Sequence, residues 1–93
     1  MEKVKIYKWW NKDTNKSSFH FAPWPYSEFE GYDDGGKVYQ LPEGYKVGES
    51  ACGDKMIYKE GLERGMEIEN QNGHPAIWNV KNGLMIMKVA KDN

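Results

Sequence analysis

One cysteine, Cys52, and two histidines, His20 and His74, are the side chains of this 93-residue sequence best suited to nucleophilic or metal chemistry. A cysteine nucleophile needs a base within reach and a lowered thiol pKa. Nothing in the spacing brings either histidine to Cys52. It sits in Ser50-Ala51-Cys52-Gly53 and reads as a small packed thiol. Two distant histidines and a lone cysteine match no metal-ligand spacing. His20, between Phe19 and Phe21, reads as a half-packed strand histidine, and His74, before Pro75, as a loop residue. Carboxylates are plentiful, but no pair is framed by the apolar surroundings that would raise one pKa. Asp33-Asp34-Gly35-Gly36 lacks the spaced ligands and closing glutamate of a calcium loop and reads as a turn. The expectation is therefore no catalytic residue, no metal and no cofactor: not an enzyme.

The aromatic residues carry a different chemistry, that of contact. Four Trp, six Tyr and three Phe occur in the chain. Trp9 and Trp10 are adjacent in an extended stretch, so they must point to opposite faces. Trp24 stands between Pro23 and Pro25, a rigid setting near the surface. Tyr26 and Tyr32 follow, interleaved with Glu28, Glu30, Asp33 and Asp34. Trp and Tyr are favoured anchors of protein interfaces and stacking platforms. They also fill the thin core of a small β-protein, and both readings apply here.

These side chains must be positioned by strands. Lys3–Trp10 has no Gly or Pro and alternates Val4, Ile6, Lys8, Trp10 against Lys3, Lys5, Tyr7, Trp9. Ser18–Ala22 is a second strand paired with it. Pro23–Tyr26 is extended, and Ser27 caps one short helical turn near 27–31. Lys37–Leu41, Tyr45–Val47 and Lys55–Lys59 read as further strands between turn residues. The fold class is all-β: a small antiparallel barrel or sandwich-like roll, one domain over 1–93, ending in a three-stranded meander.

Register in that meander follows from two glycine turns. A two-residue Asn82-Gly83 loop sets Val80 against Met85, Trp78 against Met87 and Ala76 against Val89. A three-residue Gln71-Asn72-Gly73 loop sets Met66 against Trp78 and Ile68 against Ala76. The alternative Asn72-Gly73 loop would place Glu67 and Glu69 on the apolar face, where unpaired charge is costly. The expected inward face is Met66, Ile68, Ala76, Trp78, Val80, Met85, Met87 and Val89. Ile77, Leu84 and Ile86 then lie on the mixed outer face.

The net charge of −1 gives no global pull toward nucleic acid or membrane. Residues 28–54 are nevertheless acidic, with seven carboxylates against Lys37 and Lys46. A lone cysteine fits a reducing compartment, no run reaches transmembrane length, and a cytoplasmic location is expected.

Pro42-Glu43-Gly44-Tyr45-Lys46-Val47-Gly48-Glu49, continuing to Asp54-Lys55-Met56-Ile57-Tyr58, resembles small proteins carried by phages and mobile elements of Gram-positive bacteria. The resemblance implies such an origin and transfers no residue roles. The expectation is a non-catalytic module binding a protein partner through Trp9, Trp10, Trp24, Tyr26, Tyr32, Glu28, Glu30, Asp33 and Asp34. Its sharper form is a phage inhibitor of a host defence protein. The alternative is a nucleotide- or saccharide-binding module. No direct nucleic acid or membrane contact is expected, and self-association stays open.

Overall fold

The computed structural model describes residues 2–79 and 83–90. Among the described residues there are ten strands: β1 (Lys3–Asn11), β2 (Lys16–His20), β3 (Gly31–Asp33), β4 (Lys37–Gln40), β5 (Tyr45–Glu49), β6 (Lys55–Lys59), β7 (Glu69–Gln71), β8 (His74–Asn79), β9 (Gly83–Ile86) and β10 (Lys88–Val89). No helix occurs among the described residues, and the fold is all-β as the short strands between turn residues implied. The strands form three antiparallel sheets that do not close into a barrel. Val4, Ile6, Phe19, Tyr39, Leu41, Tyr45, Ile57, Ile77 and Met87 from all three sheets meet in one core, which makes the sandwich-like roll.

β1 organises the first sheet. Its even-numbered face buries Val4 and Ile6. One edge pairs with β2, with Trp9 opposite Ser18 and Tyr7 opposite His20. The other edge carries β3 and β4 end to end, Trp9 facing Asp33 and Ile6 facing Lys37. Three residues on that side therefore oppose two on β1, which is a bulge rather than a turn. Gly35 and Gly36 supply the left-handed backbone there, at φ 82° and 86°. Asp34 completes the interrupted ladder. Its Oδ1 accepts the Lys8 amide at 3.0 Å and the Gly36 amide at 2.9 Å, while its own amide donates to Lys8 O at 3.1 Å. The turn expected at 33–36 is thus corrected: the chain keeps its direction, and side-chain acceptors make that possible.

Two other boundaries move. β2 begins at Lys16, because Asn11 Oδ1 accepts the Asp13 and Thr14 amides and closes the preceding turn early. No helical turn forms near 27–31. Instead the Glu30 amide donates to Ser27 O and the Phe29 amide to Ser27 Oγ, giving an isolated turn.

The meander β7-β8-β9 exists, but both registers differ from expectation. Glu69 pairs with Ala76 and Gln71 with His74, leaving Asn72-Gly73 as a two-residue loop. Its φ values of 52° and 86° are those of a type I′ turn. Asn79 pairs with Gly83, so Gly83 belongs to β9, and the expected pairing of Val80 lies outside the described residues. The two shifts are one and three residues. Both are odd, so β8 turns over against its two neighbours, while Met66, Ile68 and Met87 pack on the core as expected. Ile77 is 1% exposed and Met87 6%, whereas Trp78 is 55% exposed and points away from them. The carboxylate objection to the tight turn fails for that reason: Glu69 stands on the outer, solvent-facing side. Met66 makes only an isolated bridge, to Ile57. After Met87, whose amide still donates to Pro75 O, the chain changes sheets and β10 pairs with β4. Ala76 pairs with Ile86 instead of the expected Val89, which pairs with Tyr39 after the switch.

Candidate functional site

Trp9 projects from the face of β1 opposite to Val4 and Ile6, and residues 22–30 fold back over it. The two adjacent tryptophans thus part, Trp9 to the face covered by this segment and Trp10 to the other. Trp10 is half-buried on the even face, with Tyr32 and Ser17 as its strand neighbours.

On the odd face a second aromatic cluster forms. His20 stacks on Trp9, with centroids 3.6 Å apart and planes 23° from parallel. They are diagonal neighbours across β1 and β2, where aromatic side chains reach one another. Trp9, Trp24 and Tyr26 are mutually near-perpendicular. Their centroids lie 5.4 Å (Trp9–Trp24), 6.3 Å (Trp9–Tyr26) and 5.1 Å (Trp24–Tyr26) apart, at angles of 84°, 81° and 78°. Edge-to-face contact at this range is favourable beyond simple burial. Burial holds the His20 imidazole below its usual pKa, with Glu67 opposing in part. Its Nε2 lies 2.7 Å from Ser18 Oγ.

The covering segment is pinned along its length. Trp9 Nε1 donates to Ala22 O at 2.8 Å, the Trp24 amide to Asp33 Oδ2 at 2.9 Å, and Trp24 Nε1 to Ser27 O at 3.0 Å. Lys12 closes the far end, its amide on Glu30 O and its Nζ on Glu28 O. Gly31 is required by space alone. A Cβ there would lie 2.5 Å from Trp24 Cζ2 and collide with the Trp10 carbonyl.

The structure thus brings Trp9, Trp24 and Tyr26 together with His20, around an open cavity of about 470 Å³ whose rim includes Asp13 and Glu30. Glu28 and Glu30 are exposed on the turn at 28–30. Tyr32 is exposed and Lys12 Nζ lies 5.9 Å from its ring. Asp33 and Asp34 serve the backbone, since Asp33 spends both oxygens on the Gly35 and Trp24 amides.

Sequence reasoning missed Phe29, which is 84% exposed at the tip of this pinned segment. The available signal was a phenylalanine flanked by two glutamates in a stretch too short to bury it. Leu84 and Ile86 lie on the outer face of β9 as expected, but their neighbour on β8 is Trp78 rather than Ile77, which the inverted register hid. Cys52 is exposed and unbonded. Among the described residues no three His, Cys, Asp or Glu side chains gather as a metal site, and no helix is long and apolar enough to cross a membrane. No family model matches this chain, and neither a curated protein nor a solved structure does.

Proposed function

We propose that this protein is a non-catalytic binding module that contacts a protein partner through the tip of the 23–32 segment, with Phe29 and Tyr26 as anchors and Glu28 and Glu30 as an acidic rim. One observation carries this reading. Phe29 is almost wholly exposed on a backbone held from both sides by the Ser27 and Lys12 hydrogen bonds. Large aromatics on a preorganised loop lose little conformational freedom on association, so more of their burial appears as affinity. The acidic rim favours a partner with a basic surface and adds mainly to association rate and specificity. A flat sugar or nucleobase finds less support. Trp9 spends one ring face on His20, and its neighbours stand edge-on to it.

The test compares affinity capture from a host lysate by the native chain and by Phe29→Ala, with melting temperature as a control. A specific captured protein should fall at least about tenfold with Phe29→Ala, the loss of an interface anchor, while the melting temperature holds. Glu28→Lys with Glu30→Lys should weaken the remainder and flatten its salt dependence. Equal capture by Phe29→Ala contradicts the reading.

A further inference from the structure

We infer that the open edge of β9 is the interface of a two-fold dimer of this chain, in which β9 pairs antiparallel with β9 of a second copy about an axis at Met85. Opposed residues in an antiparallel pair alternate between those that exchange both backbone hydrogen bonds and those that exchange none. The Met87 amide donates to Pro75 O, and the same register sets Ile77 against Met85 and Asn79 against Gly83. Gly83 and Met85 therefore spend their backbone groups on β8. Leu84 and Ile86 alternate with them, so their N–H and C=O groups point the other way. Among the described residues no strand lies on that side of β9.

This edge is unguarded. Free edge strands are ordinarily blunted by charge, proline or a covering segment. Among the described strands, β8 and β9 alone carry no Lys, Arg, Asp or Glu, and β8 is central in its sheet. At the other edge β7 carries Glu69 and is tied to β2, with Asn70 Nδ2 donating to Ser17 O at 2.9 Å. β9 presents Gly83-Leu84-Met85-Ile86, and on its outer face Ile86 and the neighbouring Trp78 are exposed. Symmetry selects the occupant. Leu84 and Ile86 flank Met85, one on each side. Two copies of β9 laid antiparallel about Met85 set Leu84 of each against Ile86 of the other. Both pairs are of the hydrogen-bonding kind, so every outward backbone group of these residues is met. The same register extends each Trp78-Leu84 row across the axis onto Ile86 of the second copy, and it sets no charged side chain of β9 against another. Because β7 is tied down at the far edge, the sheet ends after two copies, which gives a closed dimer rather than a filament.

The experiment is sedimentation velocity of the whole chain from micromolar to millimolar concentration, with amide exchange measured at both ends of that range. The expected result is a reversible monomer–dimer equilibrium. The Leu84 and Ile86 amides should exchange slowly in the dimer and fast in the dilute monomer, while the Met85 amide is slow in both. Ile86→Lys should keep the melting temperature of the dilute chain and weaken the dimer at least about tenfold, since a two-fold interface counts each substitution twice. Ile86→Pro removes an outward N–H, which edge strands tolerate, and should abolish the dimer; should that variant lose its fold, Ile86→Lys decides. Phe29→Ala alters a different surface and should leave the dimer unchanged whatever it does to partner capture. A chain that stays monomeric throughout overturns the inference, even one whose β9 edge accepts an extended peptide from another protein. So does a dimer indifferent to Ile86→Lys, or one in which the Leu84 and Ile86 amides stay unprotected.

Discussion

Gly31 and His20 hold the aromatic cluster of Trp9, Trp24 and Tyr26 in place by opposite means. Gly31 does so by what it lacks. Gly31→Ala would force Trp24 off its seat, and overpacking of this kind costs about 1–3 kcal/mol. Chemical denaturation should show that loss, together with a changed near-ultraviolet dichroism from the displaced indole. His20 does so by stacking in its neutral form. Its pKa is lowered in the folded chain, chiefly by burial. The unfolded chain therefore takes up this proton first as pH falls. The His20 contribution is complete above about 6.5, the ordinary histidine value, and is lost as pH drops below it. Urea unfolding at pH 7.5 and 5.5 should show a decline in the native chain that is smaller in His20→Phe. Equal declines would remove His20 from the account. Neither residue announces its role in the sequence. The spacing of Phe19-His20-Phe21 does place His20 on a strand, but its partner Trp9 becomes visible only once β1 and β2 are in register.

At the level of elements, the inverted faces of β8 are the sharpest departure from expectation. Pro75, Ile77, Met85 and Met87 form one apolar alternation, and Ala76, Trp78, Leu84 and Ile86 form another. Both satisfy a period of two, so the pattern alone leaves the inward face open. Turn chemistry then misled, because Asn82-Gly83 matches the favoured hairpin loop while Gly83 in fact pairs within the ladder. What decides the matter is non-local: Ile77 meets the core built by β1, β4 and β6, which no local rule anticipates. Substitution separates the two faces directly. Ile77→Ala should cost about 2–5 kcal/mol as a large-to-small core change. Trp78→Ala should cost much less, because its side chain is half in solvent. The reverse order would restore the expected faces. Gly73→Ala should cost about 1–2 kcal/mol, since alanine there must hold a left-handed conformation.

For the whole molecule, local signals carried the all-β class, the strands β1 and β6 and the aromatic, acidic character of the middle, but not the pairing of β5 with β6. Strands β1 and β6 were legible because each is an uninterrupted β-forming run bounded by turn residues. The bulge at Asp33–Gly36, the change of sheet at Met87 and the fold-back of residues 22–30 were not, because each depends on a distant acceptor or neighbour. Asp33 receives the Trp24 amide, Asp34 the Lys8 amide, and Pro75 the Met87 amide. Of the residues expected to bind a partner, Trp9, Trp24 and Tyr26 converge, whereas Asp33 and Asp34 prove to be internal acceptors. The account rests on the 22–30 segment being a preformed surface rather than a loose connection. Amide hydrogen exchange measures this most directly. The Trp24, Phe29 and Glu30 amides should exchange as slowly as those of the neighbouring β3. Exchange of these three at the rate of an unstructured chain, with β1 and β3 still protected, would contradict it.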